Sequence, residues 1–330
     1  GFKKISKISK DLGVYDSVPE LLSVSLGSNE TTLLKLTNAY CTFINGGKRV
    51  RPILAILAYK LVHPNWKKVI QSCLSLELFH NFTLIHDDIM DKAPIRRGKK
   101  TIHEKWNKNI GILSGDLLMI LAYDMISDLP KNILSKTMLK FNEISIKVCE
   151  GQQLDMNYQT RKNIDEKQYI EMIRLKTATL IGLSLQFGGL LANMNNNNLN
   201  TLYKIGELFG IGFQLRDDLL DVYGSKNFGK KIGGDILENK KTFLSVKAYE
   251  LSSKKERKNL DYWKKNKKSS KEKIKKVTEI FDKLSLKELT EKKIKSFFNL
   301  AYKKLESLNV KNSNKEELTN YLSQLFERKI

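Results

Sequence analysis

Proline is scarce in this sequence: five occur in 330 residues, and none follows Pro130. The last 200 residues (330 minus 130) therefore run without the strongest helix breaker and are rich in Leu, Lys and Glu, which favours long helices. Cysteine is equally sparse, with three residues, Cys41, Cys73 and Cys149, and no CxxC spacing. That excludes a cysteine-based metal cluster or disulfide framework and fits reduced, buried thiols. The longest apolar stretch near the start, Ile53 to Tyr59, is bounded by Arg51 and Lys60 and falls short of the roughly 20 residues of a membrane span. The opening segment, GFKKISKISK, lacks the apolar core of a signal peptide. The expectation is a soluble, cytoplasmic protein without stable membrane insertion. Runs of alternating β-branched residues are also missing, whereas 168–187 and 202–222 space apolar residues by three and four, so the fold class expected is all-α.

Positive charge is abundant, with a formal net charge of +22. Taken alone it permits nucleic acid, anionic membrane or anionic small molecules as partners. Much of the excess sits in 253–276, where lysines alternate with Ser, Asn and Glu, as on a solvated helical face. Nucleic acid would call for aromatic residues interleaved with the basic patches, and none stands out. The few arginines are more telling. Arg49 and Arg51 fall together in GGKRVRP (46–52), and Arg96 and Arg97 fall together nine residues past Asp87. A planar guanidinium grips phosphate oxygens bidentately, which a lysine cannot do. Two arginine pairs point to two phosphorylated ligands.

Residues 71–86, QSCLSLELFHNFTLIH, are apolar around much of the helical circumference, as in a helix buried within a bundle. Breaks are expected at the glycine pair 46–47, over 92–103, in an Asn-rich loop near 193–200, in the Gly-rich segment 224–234 and at 252–256. No solenoid period occurs, so one domain over 1–330 is expected.

Two aspartate-rich motifs end apolar helices: DDIMD at 87–91 and DDLLD at 217–221. Aspartates four residues apart on a helix share a face about 5.4 Å apart. Bare carboxylates on such helices require a positive partner. Oxygen ligands without a histidine pair favour a hard cation, and Mg²⁺ bridging to phosphate oxygens is the usual case. Phosphate-binding chemistry follows both motifs: PIRRG (94–98) after the first, and FGKKIGGDILENKKT (228–242), with Lys231, Asp235 and Lys240, after the second.

In order along the chain, GGKRVRP, LIHDDIMD, IRRGKKTIH, SGD (114–116), EGQQLD (150–155), KTA (176–178), FQLRDDLLD and GKKIGGD resemble the polyprenyl synthase family, the head-to-tail trans-isoprenyl diphosphate synthases. The wording of LIHDDIMDKAPIRRG and DDLLDVYG is most similar to bacterial short-chain members, of the farnesyl or geranylgeranyl diphosphate synthase type. The resemblance implies a single-domain helical bundle with a central active-site cavity, a homodimer, and a place in isoprenoid biosynthesis. It further implies Mg²⁺-dependent condensation of isopentenyl diphosphate with an allylic diphosphate such as the dimethylallyl, geranyl or farnesyl compound.

Residue by residue, the resemblance implies Asp87, Asp91 and Asp217 as metal ligands, with Asp88, Asp221 and Asp235 in support. Arg96 would bind the allylic diphosphate, as would Lys231 and Lys240. Arg97 would bind isopentenyl diphosphate in a pocket completed by Lys48, Arg51 and His80. Thr177, Gln214 and the Lys176 backbone carbonyl match positions that stabilise the allylic cation. A lone histidine on an apolar helix is ordinarily a core residue, and His86 and His103 keep that reading. His80 departs from it because it stands seven residues before Asp87, where the resemblance implies a contact with isopentenyl diphosphate.

In the resembling family the growing product runs alongside the helix that carries the first motif. At about 1.5 Å per residue, Phe82 lies roughly 7.5 Å and Phe79 roughly 12 Å before Asp87. Either ring would close the channel after a few isoprene units, giving a fifteen- or twenty-carbon product. The rival readings are a terpene cyclase and a non-catalytic subunit of a heteromeric synthase. The arginines around GGKRVRP and the second complete DDxxD argue against a cyclase, and the intact motifs argue against a regulatory subunit.

Overall fold

The computed structural model describes residues 49–224, 232–266 and 270–327. Among these the backbone is helical except for one two-stranded hairpin and connecting turns. The described chain divides into two compact units: Leu74–Asp128 with Arg49 and Val50, and Arg51–Cys73 with the residues from Leu129 onward.

Helix α1 (Val50–Lys60) is followed by a 3₁₀ turn, Trp66–Val69, and by α2 (Ile70–Met90), the helix expected over 71–86. In the unit that holds the first motif, the chain leaves α2 as Lys92 turns left-handed, at φ 53°. Strands β1 (Ile95–Arg96) and β2 (Lys99–Lys100) then pair antiparallel, Ile95 opposite Lys100 and Arg96 opposite Lys99. Their connection, Arg97 and Gly98, has positive φ at both positions, 53° and 76°, the requirement of the two-residue turn whose twist matches the strands. The break expected over 92–103 is present, but its hairpin was not anticipated, because two-residue strands are too short to show alternation.

After α3 (Ile102–Lys105), helix α4 (Lys108–Ser127) begins at Asn107, whose side chain accepts the Ile110 amide at 2.9 Å. The buried side of α4, Gly111, Ser114, Gly115, Leu118, Ala122 and Ile126, follows the three- and four-residue period. By length and composition α4 is apolar enough to cross a membrane, with 33% of the tested stretch buried. It therefore exceeds the run at 53–59 that the sequence analysis weighed.

The second unit continues with α5 (Lys131–Thr160), α6 (Glu166–Ile173), a π turn (Arg174–Ala178), α7 (Thr179–Leu191) and α8 (Asn196–Tyr223). Then come α9 (Gly234–Glu238), α10 (Phe243–Leu251), α11 (Lys254–Lys265), α12 (Ser270–Lys283), α13 (Leu286–Glu306) and α14 (Asn312–Phe326). Capping boxes start α6 (Asp165 with Gln168), α10 (Thr242 with Ser245) and α11 (Ser253 with Glu256), each satisfying two end groups locally. Helix α7 is buried on every side from Thr179 to Leu190, as its charge-free sequence allows. It packs along α8, which in turn packs along α13. Across that second contact the Phe209 and Phe298 rings meet edge to face at 4.9 Å.

Two expectations are refined here. The asparagine run 195–198 starts α8 instead of forming a loop: Asn195 accepts the Asn198 amide at 2.9 Å, so the break is confined to the residues just before it. Within the basic run 253–276, Lys254–Lys265 forms α11 and the residues from Ser270 start α12, with Lys254, Lys255, Lys258 and Lys265 exposed as expected. Lys273 is the exception. It is 5% exposed and its Nζ donates to the Leu237 carbonyl at 3.2 Å and to Asn239 Oδ1 at 2.8 Å, closing the end of α9.

Candidate active site

The two aspartate motifs have the same internal architecture. In DDIMD, Asp87 and Asp91 are half-buried and Asp88 is buried; in DDLLD, Asp217 and Asp221 are half-buried and Asp218 is buried. A helix turns about 100° per residue, so the outer aspartates share a face while the middle one rotates inward.

Around the first motif, the buried carboxylate is met by arginine. Arg96 Nε donates to both Asp88 oxygens at 2.8 Å, and its terminal nitrogen lies 2.7 Å from Asp88 Oδ1 and 3.4 Å from Asp87 Oδ2. Burial raises the Asp88 carboxyl above its ordinary range, with the Arg96 hydrogen bond and charge opposing it. Arg97, at the exposed tip of the hairpin, has its guanidinium lowered by burial first and by the adjacent Arg96 charge second. Two neighbouring guanidiniums that repel each other form a place where an anion is favoured. His80 is half-buried, and its carbonyl accepts from Thr83 Oγ1 at 2.7 Å. Phe82 is half-buried, whereas Phe79 is 1% exposed, with ring centroids 5.4 Å apart. His86 keeps a packing role: its ring crosses Phe82 at 4.8 Å, and its Nε2 lies 3.2 Å from the Ile112 carbonyl.

Around the second motif, the buried carboxylate is met by neutral donors. Asp218 Oδ2 accepts from the Tyr169 hydroxyl and from the Phe243 amide at 2.9 Å, while Gln214 Nε2 donates to Oδ1 at 3.1 Å. Burial pushes the Asp218 carboxyl up to about 6 against those hydrogen bonds. Gln214 continues the chain, since its Oε1 accepts from Thr177 Oγ1 at 3.1 Å. Lys176, next to Thr177, extends its ammonium to Asp155 of EGQQLD at 2.6 Å. Asp221 Oδ2 accepts the Asp235 amide at 3.0 Å, and Asp235 in turn accepts the Lys240 amide at 3.0 Å through its carbonyl. The GGD segment is thereby tied to the motif. Lys240 Nζ lies 3.4 Å from Glu238.

The structure thus joins Asp87, Asp88 and Arg96 in one group, Thr177, Gln214 and Asp218 in another, and Asp221, Asp235 and Lys240 in a third. Arg51 sits in the first turn of α1. Lys48 and Lys231 lie outside the described residues. Residues that the sequence reading did not single out are Asp155, Tyr169 and Asp218. Asp155 and Asp218 stood inside quoted motifs; Tyr169 is 49 positions from its partner, and no local pattern marks it.

Among the described residues, no group of three or more His, Cys, Asp or Glu side chains is placed to hold a metal by itself. A small hard cation takes one or two protein carboxylates and completes its oxygen shell with substrate phosphates and water. Asp87 and Asp91, one helical turn apart, are carboxylate donors of the kind such an ion takes, and Arg96 contacts Asp87 at 3.4 Å as well as Asp88 at 2.7 Å.

The sequence profile of the family described as polyprenyl synthetase matches residues 33–281. The geranylgeranyl pyrophosphate synthase of Geoglobus acetivorans is 40% identical over 207 residues, 62% of this chain and 65% of that protein, just under two thirds of its length. The geranylgeranyl diphosphate synthase of Saccharolobus solfataricus is 35% identical over 287 residues, 86% of each chain. Among solved structures, a geranylgeranyl pyrophosphate synthase superposes with a TM-score of 0.86 at 33% identity, covering 100% of this chain and 99% of that one. The Corynebacterium glutamicum geranylgeranyl pyrophosphate synthase, complexed with isoprenyl diphosphate and magnesium, superposes at 0.81 with 26% identity and 100% coverage of both chains.

Proposed function

We propose that this chain, which belongs to the polyprenyl synthetase family, is a short-chain trans-prenyltransferase that condenses isopentenyl diphosphate with an allylic diphosphate to a twenty-carbon product. The observation that carries the reading is the shared construction of the two motifs: one buried, hydrogen-bonded aspartate supporting two outward carboxylates one turn apart. Both curated relatives named above are geranylgeranyl diphosphate synthases, which favours twenty carbons over fifteen. Intact motifs disfavour a non-catalytic subunit, and the arginine pair beside the first motif disfavours a cyclase, which binds no second diphosphate.

In this reading the allylic carbon–oxygen bond breaks, its electron pair leaves with diphosphate, and the isopentenyl double bond attacks the resulting cation. The new carbon–carbon bond forms as a proton is lost to the departing diphosphate. Mg²⁺ held by Asp87, Asp91 and Asp217 would neutralise charge building on the leaving group; a magnesium-bound family structure supports this choice. Arg96, together with Lys231 and Lys240, binds the allylic diphosphate. Arg97, Lys48, Arg51 and His80 bind isopentenyl diphosphate. Asp88, Asp221 and Asp235 hold the ligating carboxylates and their loop in place. The Lys176 carbonyl and the Thr177–Gln214 pair present dipoles, and no strong nucleophile, to the cation. Phe82 limits chain growth, and Phe79 supports it from the core.

Residues 1–330 are read as one synthase domain, supported by a structural likeness covering 100% of the chain, and its location is read as cytoplasmic. A homodimer is supported by α4, which leaves Ile112, Leu113 and Ile120 exposed at 43%, 53% and 60%. The test of the activity is radiolabel transfer from isopentenyl diphosphate to farnesyl diphosphate with Mg²⁺ or with chelator. Transfer only with the metal is expected, and none under either condition would remove the reading.

A further inference from the structure

The π turn Arg174–Ala178 carries Lys176 and Thr177, and its closure differs from the surrounding helix: the Thr179 amide donates to the Arg174 carbonyl, five residues back. One residue more than an α-helix accommodates is held there, a form rare in itself and frequent at functional sites. Polar contacts grip it from both sides. Arg174 binds Glu171 at 2.6 Å and the buried Glu207 at 3.0 Å, Lys176 binds Asp155 of α5, and Thr177 binds Gln214 of α8.

The same two helices bring glycines to this turn. A Cβ at Gly151 of α5 would lie 2.2 Å from Lys176 N and 2.6 Å from Lys176 Cα; one at Gly210 of α8 would lie 2.6 Å from Ala178 Cα. These atoms are backbone, with the rotamer-free Cβ of Ala178 at 2.8 Å from the second position, so no side chain can swing aside. Each glycine also precedes its helix's polar contact by four residues, Gly151 before Asp155 and Gly210 before Gln214, hence on the same face one turn away.

We propose that Gly151 and Gly210 are positioning residues for the reaction: their missing side chains let α5 and α8 close on the π turn, and that closeness fixes Lys176 and Thr177. The inference rests on the reading of Lys176 and Thr177 as the groups that face the allylic cation. The geometry sets its size. Ordinary contact begins near 3.4 Å, so alanine requires a shift of 1.2 Å at Gly151 (3.4 minus 2.2) and of 0.8 Å at Gly210 (3.4 minus 2.6). Either shift would carry the 2.6 Å Lys176–Asp155 or the 3.1 Å Thr177–Gln214 contact beyond hydrogen-bonding distance. A misplacement of about 1 Å at a reaction centre costs on the order of 100-fold in rate.

The experiment compares Gly151→Ala and Gly210→Ala with Gly188→Ala, a steric match on α7 whose Cβ would lie 2.0 Å from the Ala55 carbonyl, away from the turn. Each protein is assayed for condensation and for the fraction of farnesyl diphosphate diverted to free farnesol. The two π-turn variants are expected to lose about 100-fold in kcat and to divert several-fold more substrate, with KM for isopentenyl diphosphate within about twofold. Gly188→Ala is expected to lose thermal stability and keep the wild-type diverted fraction. Unchanged partitioning in the folded π-turn variants, or an equal rise in Gly188→Ala, would overturn the proposal. If neither π-turn variant folds, Asp155→Asn loosens the α5 grip without added bulk, and wild-type kcat and partitioning there would overturn it as well. Wild-type protein that condenses nothing would instead remove the transferase reading itself.

Discussion

Tyr169→Phe deletes one oxygen atom and isolates the support of the second motif. The hydroxyl donates to Asp218 Oδ2, and the residues it joins are 1% and 3% exposed, so water does not replace it. Asp218 would keep the Phe243 amide at 2.9 Å and Gln214 at 3.1 Å. Removing one donor from a buried carboxylate costs about 1.5–3 kcal/mol. With about 2.1 cal/mol/K of unfolding entropy per residue, a 330-residue chain loses about 1.4 °C of midpoint per kcal/mol, so a fall of roughly 3 °C is expected for a loss of about 2 kcal/mol. Gln214 also holds Thr177, so kcat is expected to fall along with stability while KM changes little. Thermal unfolding by circular dichroism without metal gives the first quantity, and a double-mutant cycle with Asp218→Asn shows whether the loss belongs to this pair. A midpoint within about 1 °C of wild type, or strictly additive single effects, would show that the Tyr169 hydroxyl does not support Asp218.

Phe82→Ala is expected to lengthen the product by at least one five-carbon unit, read by chromatography of the dephosphorylated material. Phe79→Ala, at a site 1% exposed, is expected chiefly to destabilise by about 3–5 kcal/mol, measured by denaturant titration. Burial pushes the Cys73 thiol up to about 12, so at pH 8 a disulfide reagent is expected to spare Cys73 until the chain unfolds while the exposed Cys149 reacts first. The sign for stability follows from the raised value: this thiol contributes no pH dependence below about 8.5, and folding is weakened above it as the unfolded thiol ionises. Leu113→Asp, on the exposed side of α4, is expected to convert a dimer to a monomer in sedimentation analysis with the helical content unchanged.

Much of the fold was legible because its signals are local. The break expected at 252–256 falls where Ser253 and Glu256 cap the start of α11. The motif aspartates were equally legible, since helical geometry alone pairs Asp87 with Asp91. The same geometry turns Asp88 and Asp218 inward, a step the sequence reading left untaken for Asp218. Tyr169 escaped notice because its partner is distant along the chain and a tyrosine on an apolar helix reads as core. The π turn left no mark in RLKTA, whose apolar spacing continues through it; what reveals it is the Thr179 amide closing on the Arg174 carbonyl five residues back, with Gly151 and Gly210 brought up against it. The Arg97–Gly98 turn was hidden by a hairpin only two residues deep.

Short-chain condensation is tested most directly by chromatography of the dephosphorylated product formed from isopentenyl and farnesyl diphosphates with Mg²⁺. A single twenty-carbon alcohol is predicted. Recovery of farnesol alone, or of chains of about thirty carbons and longer, would contradict the account.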